Sequence, residues 1–400
     1  MKRVLFIAPK SYPVTGAEEI VNIKLLMAMS KSGQFKIDLI SKKEKDRDYP
    51  SRKIEDLNVQ LETLNVIEVD NKVNLKTVFQ HIMCFFKFGV VYKGSHWAYA
   101  ALNTAIKLSK NNRYDYVLTK NSPSLLIGYY LKKHFNIKWV ATWNDPYPVF
   151  TYPKIYADYF GARKDWASKK EIKIMERYVD VHIYPSMRLK QYMSDFIDLT
   201  KSKTVIIPHV ICNVGMSPIV KSDKKLRLIH SGNLKYPRNP RLFFEGLRMF
   251  LNTYENPQIE VGILGVADNS LDEYLNEFKL YKYVQLIPPV SYEESLLLVS
   301  NYSVGLVIEA QCPEGIFLPT KVSDFMQLGM PIMAVSPTEG VLNDLYREGN
   351  INYFADNTNI ESIKQAINKC YDDFVNDRLA PCRIPADYSE SSVIQKYISL

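Results

Sequence analysis

The fold is decided by residues 303–335, which read SVGLVIEAQCPEGIFLPTKVSDFMQLGMPIMAV. The uncharged apolar run at Ser303–Ile308 predicts a buried β-strand, because such runs fit strands that are covered on both faces. A polar loop follows, and the apolar periodicity after Pro319 predicts a helix that ends at Gly329. A second apolar run at Pro331–Val335 completes a strand–helix–strand unit, which is typical of a parallel sheet with crossover helices.

The same alternation of strand and helix patterns extends through the rest of the chain. Two series of strands are separated at residues 206–220, IIPHVICNVGMSPIV, where two prolines and a glycine interrupt the periodicity. We therefore predict an α/β protein of two doubly wound Rossmann-like domains that face each other across a cleft, with domains at residues 1–210 and 221–380 and a linker at 211–220. The predicted strands are Val4–Ala8, Lys36–Ile40, Tyr116–Thr119, Lys138–Thr142, Val181–Tyr184, Thr204–Ile207, Leu226–His230, Ile259–Leu264, Val284–Ile287, Ser303–Ile308, Pro331–Val335 and Ile351–Phe354.

Composition and cysteine usage exclude several other classes of protein. The 400 residues are 46% hydrophobic and 24% charged, which is typical of packed globular proteins and not of disordered or fibrous chains. The five cysteines form no C-x-x-C pair and no metal-ligand spacing with histidine, so neither a disulfide framework nor a zinc site is predicted. The apolar run near Met1 is too short for a signal sequence, and no run reaches the ~20 apolar residues of a membrane span. We therefore expect a cytoplasmic protein.

Charge is distributed unevenly between the two halves of the chain. Residues 1–200 hold 32 Lys and Arg against 20 Asp and Glu, a net charge of +12, whereas residues 201–400 hold 19 against 23, a net charge of −4. The basic half suits an anionic membrane surface or a phosphate-bearing substrate, and a solvated lysine-rich surface is the alternative. Nucleic acid is disfavoured, because no helix-turn-helix, zinc-finger or RNP-type motif accompanies the lysines.

Polar residues follow several predicted strands of the first half, at the strand ends where ligands bind in doubly wound sheets. Gly16 begins a predicted helix, where free N–H groups and the helix dipole favour phosphate, and an ordinary turn glycine is the alternative. Asn144 and Asp145 follow another strand, although an Asp before Pro also shapes turns. Ser122 and Ser186 precede helices after two further strands. These residues predict a polar wall of the cleft.

The second half combines glycine, cations and a carboxylate in two segments. Residues 230–234 read HSGNL after a predicted strand, and Arg238 precedes a helix, so Gly232 permits a diphosphate to approach beside a cation. Lys321 and Asp324 are spaced i, i+3 on a predicted helix and so share one face, which suits a phosphate and a ribose diol. The alternatives are a surface position for Arg238 and an ordinary ion pair between Lys321 and Asp324.

The segment that contains Lys321 resembles the nucleotide-binding half of glycosyltransferase family 4, whose members have the GT-B fold. In that family a loop leads into a helix that ends in Gly-x-Pro-[Ile/Val], and an acid five residues before the glycine binds the ribose of the donor. Asp324 holds that place before Gly329, and Pro319-Thr320-Lys321 resembles a Pro-x-Lys variant of the loop. Glu314 lies two residues before Ile316, the position at which the family commonly has its first Glu.

Other landmarks of the family cover most of the chain. Gly232 and Arg238 stand where the family binds phosphate, with Asn233 in place of the usual Arg. In the first half, residues 13–18 resemble the family's first loop, and the stretches at 114–146 and 179–186 are similar to the acceptor domains of transferases in bacterial surface-polysaccharide assembly. The resemblance also implies that residues 381–400 form a helix that crosses back to the N-terminal domain.

The resemblance implies a retaining transferase that moves a sugar from a nucleotide-sugar to a glycan or lipid-linked acceptor, with no metal and no other cofactor. The leaving phosphate itself would help to deprotonate the acceptor. The enzyme would work in the cytoplasm, at the inner face of the membrane if it binds there. The residues so implied are Asp145, Asn144, Arg238 and Lys321 for catalysis, Gly16, Gly232, Asn233, Arg238, Glu314, Lys321 and Asp324 for the donor, and Ser122, His96 and Ser186 as acceptor-side candidates.

Two other functions fit the same architecture. A sugar-nucleotide epimerase with the GT-B fold needs paired acid and base residues at the sugar ring, and the sequence shows no convincing pair. A non-catalytic GT-B partner protein is favoured by Ile316 and Asn233, which replace the family's usual charged residues. His96 and His209 are each either an acceptor-side base or a structural histidine.

One segment of the first half is rich in both aromatic and basic residues. Residues 76–93, KTVFQHIMCFFKFGVVYK, interleave aromatic and basic side chains. Such a segment either lies on a membrane that holds a lipid-linked acceptor or packs as a helix on the N-terminal sheet, and the sequence favours neither.

Overall fold

The computed structural model describes residues 1–14, 16–45, 47–48, 53–70, 72–212, 225–266 and 270–400. The chain divides into two units. The first unit consists of Met1–Tyr152, Gly161–Cys212 and Asp387–Leu400, and the second of Pro153–Phe160 and Asn213–Ala386. Most of the predicted linker at 211–220 lies outside the described residues.

Parallel strands alternate with helices along the described parts of the chain. The strands are β1 (Lys2–Ile7), β2 (Phe35–Glu44), β3 (Thr63–Val69), β4 (Tyr116–Lys120), β5 (Trp139–Thr142), β6 (Val181–Tyr184), β7 (Lys203–Ile206), β8 (Leu226–Ser231), β9 (Ile259–Leu264), β10 (Val284–Ile287), β11 (Val304–Ile308), β12 (Ile332–Ser336) and β13 (Tyr353–Asp356). The helices are α1 (Ala17–Lys31), α2 (Leu75–Phe88), α3 (His96–Asn111), α4 (Ser124–Phe135), α5 (Lys154–Tyr159), α6 (Trp166–Tyr178), α7 (Met187–Ser194), α8 (Arg241–Leu251), α9 (Ser270–Glu277), α10 (Tyr292–Val299), α11 (Thr320–Gln327), α12 (Val341–Arg347), α13 (Ile360–Val375) and α14 (Glu390–Ile398).

Each unit is built on one parallel sheet. The strand order is β3-β2-β1-β4-β5-β6-β7 in the first unit and β10-β9-β8-β11-β12-β13 in the second. The order reverses between β1 and β4 in one sheet and between β8 and β11 in the other, and at such switch points a crevice opens at the carboxyl ends of the strands. The predicted fold class, two doubly wound Rossmann-like domains, is confirmed.

Central strands are apolar because helices cover both of their faces. The side chains of Val4, Leu5, Phe6 and Ile7 in β1 are buried, and all residues of β11 are buried. Parallel strands with no exposed face need no polar alternation, which is why both runs stand out in the sequence. Clusters of buried hydrophobic residues pack against the sheet in each unit.

The prediction missed β3, the edge strand of the first sheet. Its sequence TLNVIEV mixes polar and apolar residues, and only Val69 is fully buried. It pairs on one side with the carboxyl-terminal part of β2, which continues to Glu44 beyond its predicted end. An edge strand that is partly open to solvent carries a weak hydrophobic signal, so neither feature stands out in the sequence.

Two segments belong to a unit other than that of their neighbours in the chain; the family resemblance implies this for α14 but not for α5. Helix α14 packs in the first unit, where the Tyr116 hydroxyl donates to the carbonyl oxygen of Tyr397 at 3.2 Å. Helix α5 belongs to the second unit, where the rings of Tyr156 and Phe317 have their centroids 5.1 Å apart. None of the described helices has the length and apolar composition that crossing a bilayer requires.

Candidate functional site

The carboxyl edge of the second sheet brings a lysine and a histidine into contact at the switch point between β8 and β11. Lys321 lies in the first turn of α11, and its Nζ is 2.8 Å from Nε2 of His230, which is fully buried near the end of β8. Burial, together with the charges of Lys321 and Arg238, lowers the pKa of His230 well below its usual value. The imidazole is therefore uncharged at neutral pH and can accept a hydrogen bond from Lys321.

Lys321 is held in a setting that destabilises its charged form. Burial, reinforced by the positive charge of Arg238, lowers the pKa of Lys321 well below that of lysine in water, although Glu309 and Asp324 act in the opposite direction. An anion placed next to the ammonium group would remove this penalty, because an opposite charge favours the protonated form. The site thus favours an anionic ligand.

Glu309 is the carboxylate at the end of β11, and it is not among the predicted site residues. Its side chain is buried and accepts a hydrogen bond from the Ser336 hydroxyl at 2.5 Å. Burial raises the pKa of Glu309, against the hydrogen bond from Ser336 and the charges of Arg238 and Lys321. The signal that could have identified Glu309 is a carboxylate directly after a fully buried central strand.

Asp324 lies one turn after Lys321 on α11. Its Oδ1 accepts a hydrogen bond of 2.7 Å from the Tyr292 hydroxyl, which α10 supplies. The sequence predicted the shared helix face of Lys321 and Asp324, and the charge of Asp324 does act on Lys321. Tyr292 was not predicted, because its contact joins two helices 32 residues apart.

Two glycines keep the loop after β8 close to the sheet. Gly232 has φ +111°, and a Cβ at this position would stand 3.6 Å from Nζ of Lys321. Gly265, after β9, has φ +131°, and a Cβ there would meet the backbone of Gly232 at 2.8 Å. A side chain at Gly265 would push the Gly232 loop away from Lys321, so the close approach requires glycine.

The remaining predicted donor residues lie in different surroundings. Arg238 is half-buried, and its charge acts on His230, Glu309 and Lys321. Asn233 is exposed, and its side-chain oxygen accepts from the backbone N–H of Val266 at 3.3 Å.

Glu314 lies in the loop before α11, two residues before Ile316. The family resemblance assigns an acid to the position of Ile316. Ile316 is buried, and the backbone carbonyl of Glu314 accepts from the Cys312 thiol at 3.1 Å. The groups that act on the charge of Lys321 include Glu309 and Asp324. Glu309 is therefore a better candidate than Glu314 for the carboxylate that accompanies the cations.

The carboxyl edge of the first sheet holds a network of amides and paired charges. Lys10, in the loop after β1, forms an ion pair of 2.8 Å with Glu18 in the first turn of α1. The other oxygen of Glu18 accepts from the side chain of Asn121 at 2.7 Å, and the Asn121 oxygen accepts from the backbone N–H of Asn144 at 3.4 Å. Asp145 contributes to the negative charge around Lys10. The predicted Asn144 and Asp145 thus join three residues that were not predicted.

Gly16 is the N-cap of α1, with an extended backbone at φ −165° that any residue can adopt. Glu18 and Glu19 occupy the first helical turn, and a Cβ on Gly16 would stand 3.1 Å from a carboxylate oxygen of Glu19. The helix supplies its own negative charge at this end. This arrangement disfavours a phosphate at Gly16, whose donor role stays a prediction.

Lys120, at the end of β4, is a buried lysine of the first unit. Burial lowers its pKa to about 7, although the charge of Glu18 acts in the opposite direction. A lysine with a pKa near 7 exchanges protons readily at neutral pH. It lies directly before Asn121, within the same edge of the first sheet.

Ser122 belongs to a buried hydroxyl and carboxyl network. Its hydroxyl donates to the Tyr92 hydroxyl at 2.8 Å, and Tyr147 donates a hydrogen bond to Glu171 of α6. Burial raises the pKa of Glu171 to about 7, although Tyr147 and Tyr92 lower it. The network connects the loops after β4 and β5 to α6.

The other two acceptor-side candidates have local partners. His96 begins α3, where its ring centroid lies 4.9 Å from that of His81, and burial lowers its pKa. Ser186 is the N-cap of α7 and accepts from the backbone N–H of Leu189 at 3.1 Å. The structure gives Ser186 a capping role, and the assignment of both residues to the acceptor stays a prediction.

Comparison with known proteins finds one family model and several solved structures that resemble this chain. The family model described as Glycosyltransferase Family 4 matches residues 80–211. HepE from Anabaena, solved with UDP and glucose, is 12% identical, with 100% of this chain and 99% of that chain covered and a TM-score of 0.65. A glycosyltransferase from Rickettsia africae is 13% identical over 100% and 97% of the chains, with a TM-score of 0.66. The lipopolysaccharide outer core galactosyltransferase WaaB is 14% identical over 99% and 98%, with a TM-score of 0.59.

At these identities the likeness establishes the fold, which is the GT-B fold of the glycosyltransferases. No curated protein matches the chain by sequence.

Proposed function

We propose that this protein is a family 4 glycosyltransferase that transfers a sugar from a nucleotide-sugar to an acceptor. The observation that carries the proposal is the contact between Lys321 and His230 at the switch point of the second sheet, with Arg238 and Glu309 around it. A lysine whose hydrogen bond goes to an uncharged imidazole retains its capacity for an anionic ligand. The family match at residues 80–211 and the GT-B fold support the same assignment.

We assign the diphosphate of the donor to Lys321, Arg238 and the backbone at Gly232. Departure of the nucleoside diphosphate is the demanding step of sugar transfer, because an additional negative charge develops on the diphosphate as its bond to the sugar breaks. Fixed cations in a poorly solvated site stabilise that charge more strongly than water does. Asp324, oriented by Tyr292, would bind the ribose.

We assign the acceptor and the transferred sugar to the carboxyl edge of the first sheet. The amides of Asn121 and Asn144 and the carboxylates of Glu18 and Asp145 offer neutral and anionic hydrogen-bond partners. Sugar hydroxyls need donors and acceptors of this kind and carry no charge. In the proposed mechanism the configuration at the anomeric carbon is retained and the leaving phosphate accepts the acceptor proton, without a metal.

Features of the first unit support a proposal for the acceptor class. We propose a glycan or lipid-linked acceptor of surface-polysaccharide assembly, as the likeness to a lipopolysaccharide galactosyltransferase supports. The net charge of +12 in residues 1–200 supports work at the anionic inner face of a membrane. UDP is the first nucleotide to test, because HepE was solved with UDP and glucose.

The proposal is tested by thermal shift with UDP, GDP, CMP, dTDP and ADP and their sugar conjugates, because a ligand that binds only the folded state raises the melting temperature. We expect a rise with one nucleotide family that disappears in Lys321→Met. Release of nucleoside diphosphate from the matching sugar conjugate then tests turnover. Binding without turnover in the presence of glycan and lipid acceptors would favour the non-catalytic partner, and no binding to any nucleotide would refute the proposal.

A further inference from the structure

One face of α2 exposes an apolar surface to solvent. The exposed fraction is 92% for Leu75, 74% for Phe86 and 56% for Phe79, and Val78, Ile82 and Phe85 are also exposed. These positions follow the i, i+3, i+4, i+7 spacing of one helix face. Contiguous apolar patches of this kind mark an interaction surface, whereas single exposed apolar residues do not.

The opposite face of α2 fixes the helix to the first unit. Cys84 and Phe88 are buried, and the ring centroids of Phe88 and Tyr130 of α4 are 6.2 Å apart. A capping box between Asn74 and Thr77 starts the helix, and Gly89 ends it with φ +70°. The exposed face is therefore held in a defined orientation by packing on the other side.

Trp166 extends the apolar surface beyond α2. Its ring centroid lies 6.2 Å from that of Phe85, and 57% of the residue is exposed. The other three tryptophans, Trp97, Trp139 and Trp143, are buried. Tryptophan is enriched where proteins meet the headgroup region of a bilayer, because its ring is apolar and its N–H is polar.

The charge along the chain at α2 is positive, although Asp70 precedes the helix and Asp165 precedes Trp166. Residues 72–114 contain seven Lys and Arg and no Asp or Glu. Lys72, Lys76, Lys87 and Lys93 are exposed and flank the apolar face. Apolar side chains bordered by lysines match the interface of a bilayer that contains anionic lipid.

We propose that α2 and Trp166 form a docking face for an anionic lipid bilayer, with Phe79 and Phe86 inserted among the acyl chains and the lysines on the lipid phosphates. A second copy of this chain is a poorer occupant, because a two-fold interface would bring the same lysines together. Docking on a bilayer would bring the enzyme to the lipid-linked acceptor of the proposed function. Only this consequence rests on the proposed function. Membrane binding itself can be measured without sugar transfer.

The test is co-sedimentation of the full chain with vesicles of phosphatidylcholine alone and with added phosphatidylglycerol. We expect binding to the anionic vesicles that weakens as salt is raised. Leu75→Ser/Phe86→Ser should reduce that binding about tenfold or more, since it removes two exposed apolar anchors. Leu297→Ser/Val375→Ser, which replaces two exposed apolar residues of the second unit, is the matched control and should bind like the parent protein.

Trp166 provides a second, direct readout. Its fluorescence should shift to shorter wavelength on anionic vesicles and be quenched by brominated lipid, and Trp166→Phe should abolish both signals because the other tryptophans are buried. Absence of vesicle binding, equal loss in the control variant, or a dimer that disappears in Leu75→Ser/Phe86→Ser would overturn the proposal. Retention of the nucleotide-induced thermal shift in that variant separates failure of docking from failure of the donor site.

Discussion

The carboxyl edges of the two sheets occupy equivalent positions in the fold. Lys10 at the first edge and Lys321 at the second edge have different hydrogen-bond partners. In the first unit Lys10 is paired with the Glu18 carboxylate at 2.8 Å. In the second unit Lys321 meets the uncharged imidazole of His230, also at 2.8 Å. The carboxylates of Glu18, Glu19 and Asp145 raise the pKa of Lys10 against partial burial, whereas burial and Arg238 lower that of Lys321.

This difference shows how sheets of one topology can suit different ligands, uncharged hydroxyls in one unit and phosphate in the other. A lysine with a carboxylate partner is already neutralised, and its neighbours are suited to uncharged hydroxyls. Lys321 donates to an imidazole instead, and although the charges of Glu309 and Asp324 act on it, a phosphate can pair with it directly. The chemistry of each edge is thus set by the partner of the cation rather than by the fold.

The largest expected effect comes from removing one lysine from each edge. Lys321→Met should weaken UDP binding about 30- to 100-fold, the equivalent of roughly 2–3 kcal/mol, since it removes a hydrogen bond between charged groups. Lys10→Met should leave UDP affinity within about threefold, because Lys10 is paired with Glu18. Isothermal titration calorimetry measures both. Equal losses in the two variants would mean that the edges do not differ in the way proposed.

A second prediction concerns the buried carboxyl of the first unit. Burial raises the pKa of Glu171 from 4.5 to about 7, so the folded state keeps a proton that the unfolded state loses. Its contribution to stability is complete below about pH 4.5 and is lost as the pH rises through about 7. Relative to the parent protein, Glu171→Gln should gain up to roughly 3 kcal/mol in unfolding free energy between pH 4.5 and pH 8.

Urea unfolding of both proteins at these two pH values tests the prediction. The glutamine keeps an acceptor for Tyr147 and does not ionise, so the comparison isolates the proton of Glu171. A constant difference between the two proteins across this pH range would show that Glu171 is ionised in the folded state.

The sequence predicted the central strands and the helix that carries Lys321, because both depend on local patterns. Strand β11 is a buried apolar run, and Lys321 and Asp324 share a face through their spacing alone. The partners of these two side chains were not predictable in this way. His230 lies 91 residues from Lys321, and Tyr292 lies 32 residues from Asp324. Such pairings arise only when the sheet order brings distant strand ends and helices together.

The surroundings of Glu314 and Gly16 likewise depend on residues that motif spacing does not identify. Glu314 was chosen by its position in a motif, whereas Glu309 acts on Lys321 because the end of β11 and the start of α11 lie together at the same edge of the sheet. Gly16 was chosen for its backbone freedom, yet its φ is ordinary and the neighbouring Glu18 and Glu19 occupy the helix start. Motif spacing identifies an element, and the charge around that element depends on its neighbours in space.

A smaller effect is expected in the protons that the protein takes up when UDP binds. Because the pKa of free Lys321 is lowered and a bound phosphate raises it, UDP binding should take up a proton above the pKa of the free protein. Affinity should then fall as the pH rises, by at most about tenfold per unit. Calorimetry at a series of pH values, in buffers of different ionisation enthalpy, measures the uptake. Lys321→Arg, which stays protonated, should abolish it, and equal uptake in that variant would place the proton elsewhere.

The smallest expected effect tests whether Asp324 is positioned by its neighbour. Tyr292→Phe removes the hydroxyl that donates to Asp324 and leaves the ring, so the carboxylate loses one hydrogen bond of about 1 kcal/mol. We expect UDP to bind about fivefold more weakly while phosphate alone binds as before, because the ribose contact and not the diphosphate contact depends on Asp324. Tyr281→Phe, in which the lost hydroxyl faces Asp272 in the same unit, is the control and should bind UDP like the parent protein. Weaker binding of both UDP and phosphate in Tyr292→Phe would instead place Asp324 with the cations at the diphosphate. The second edge would then not separate a ribose-binding carboxylate from phosphate-binding cations.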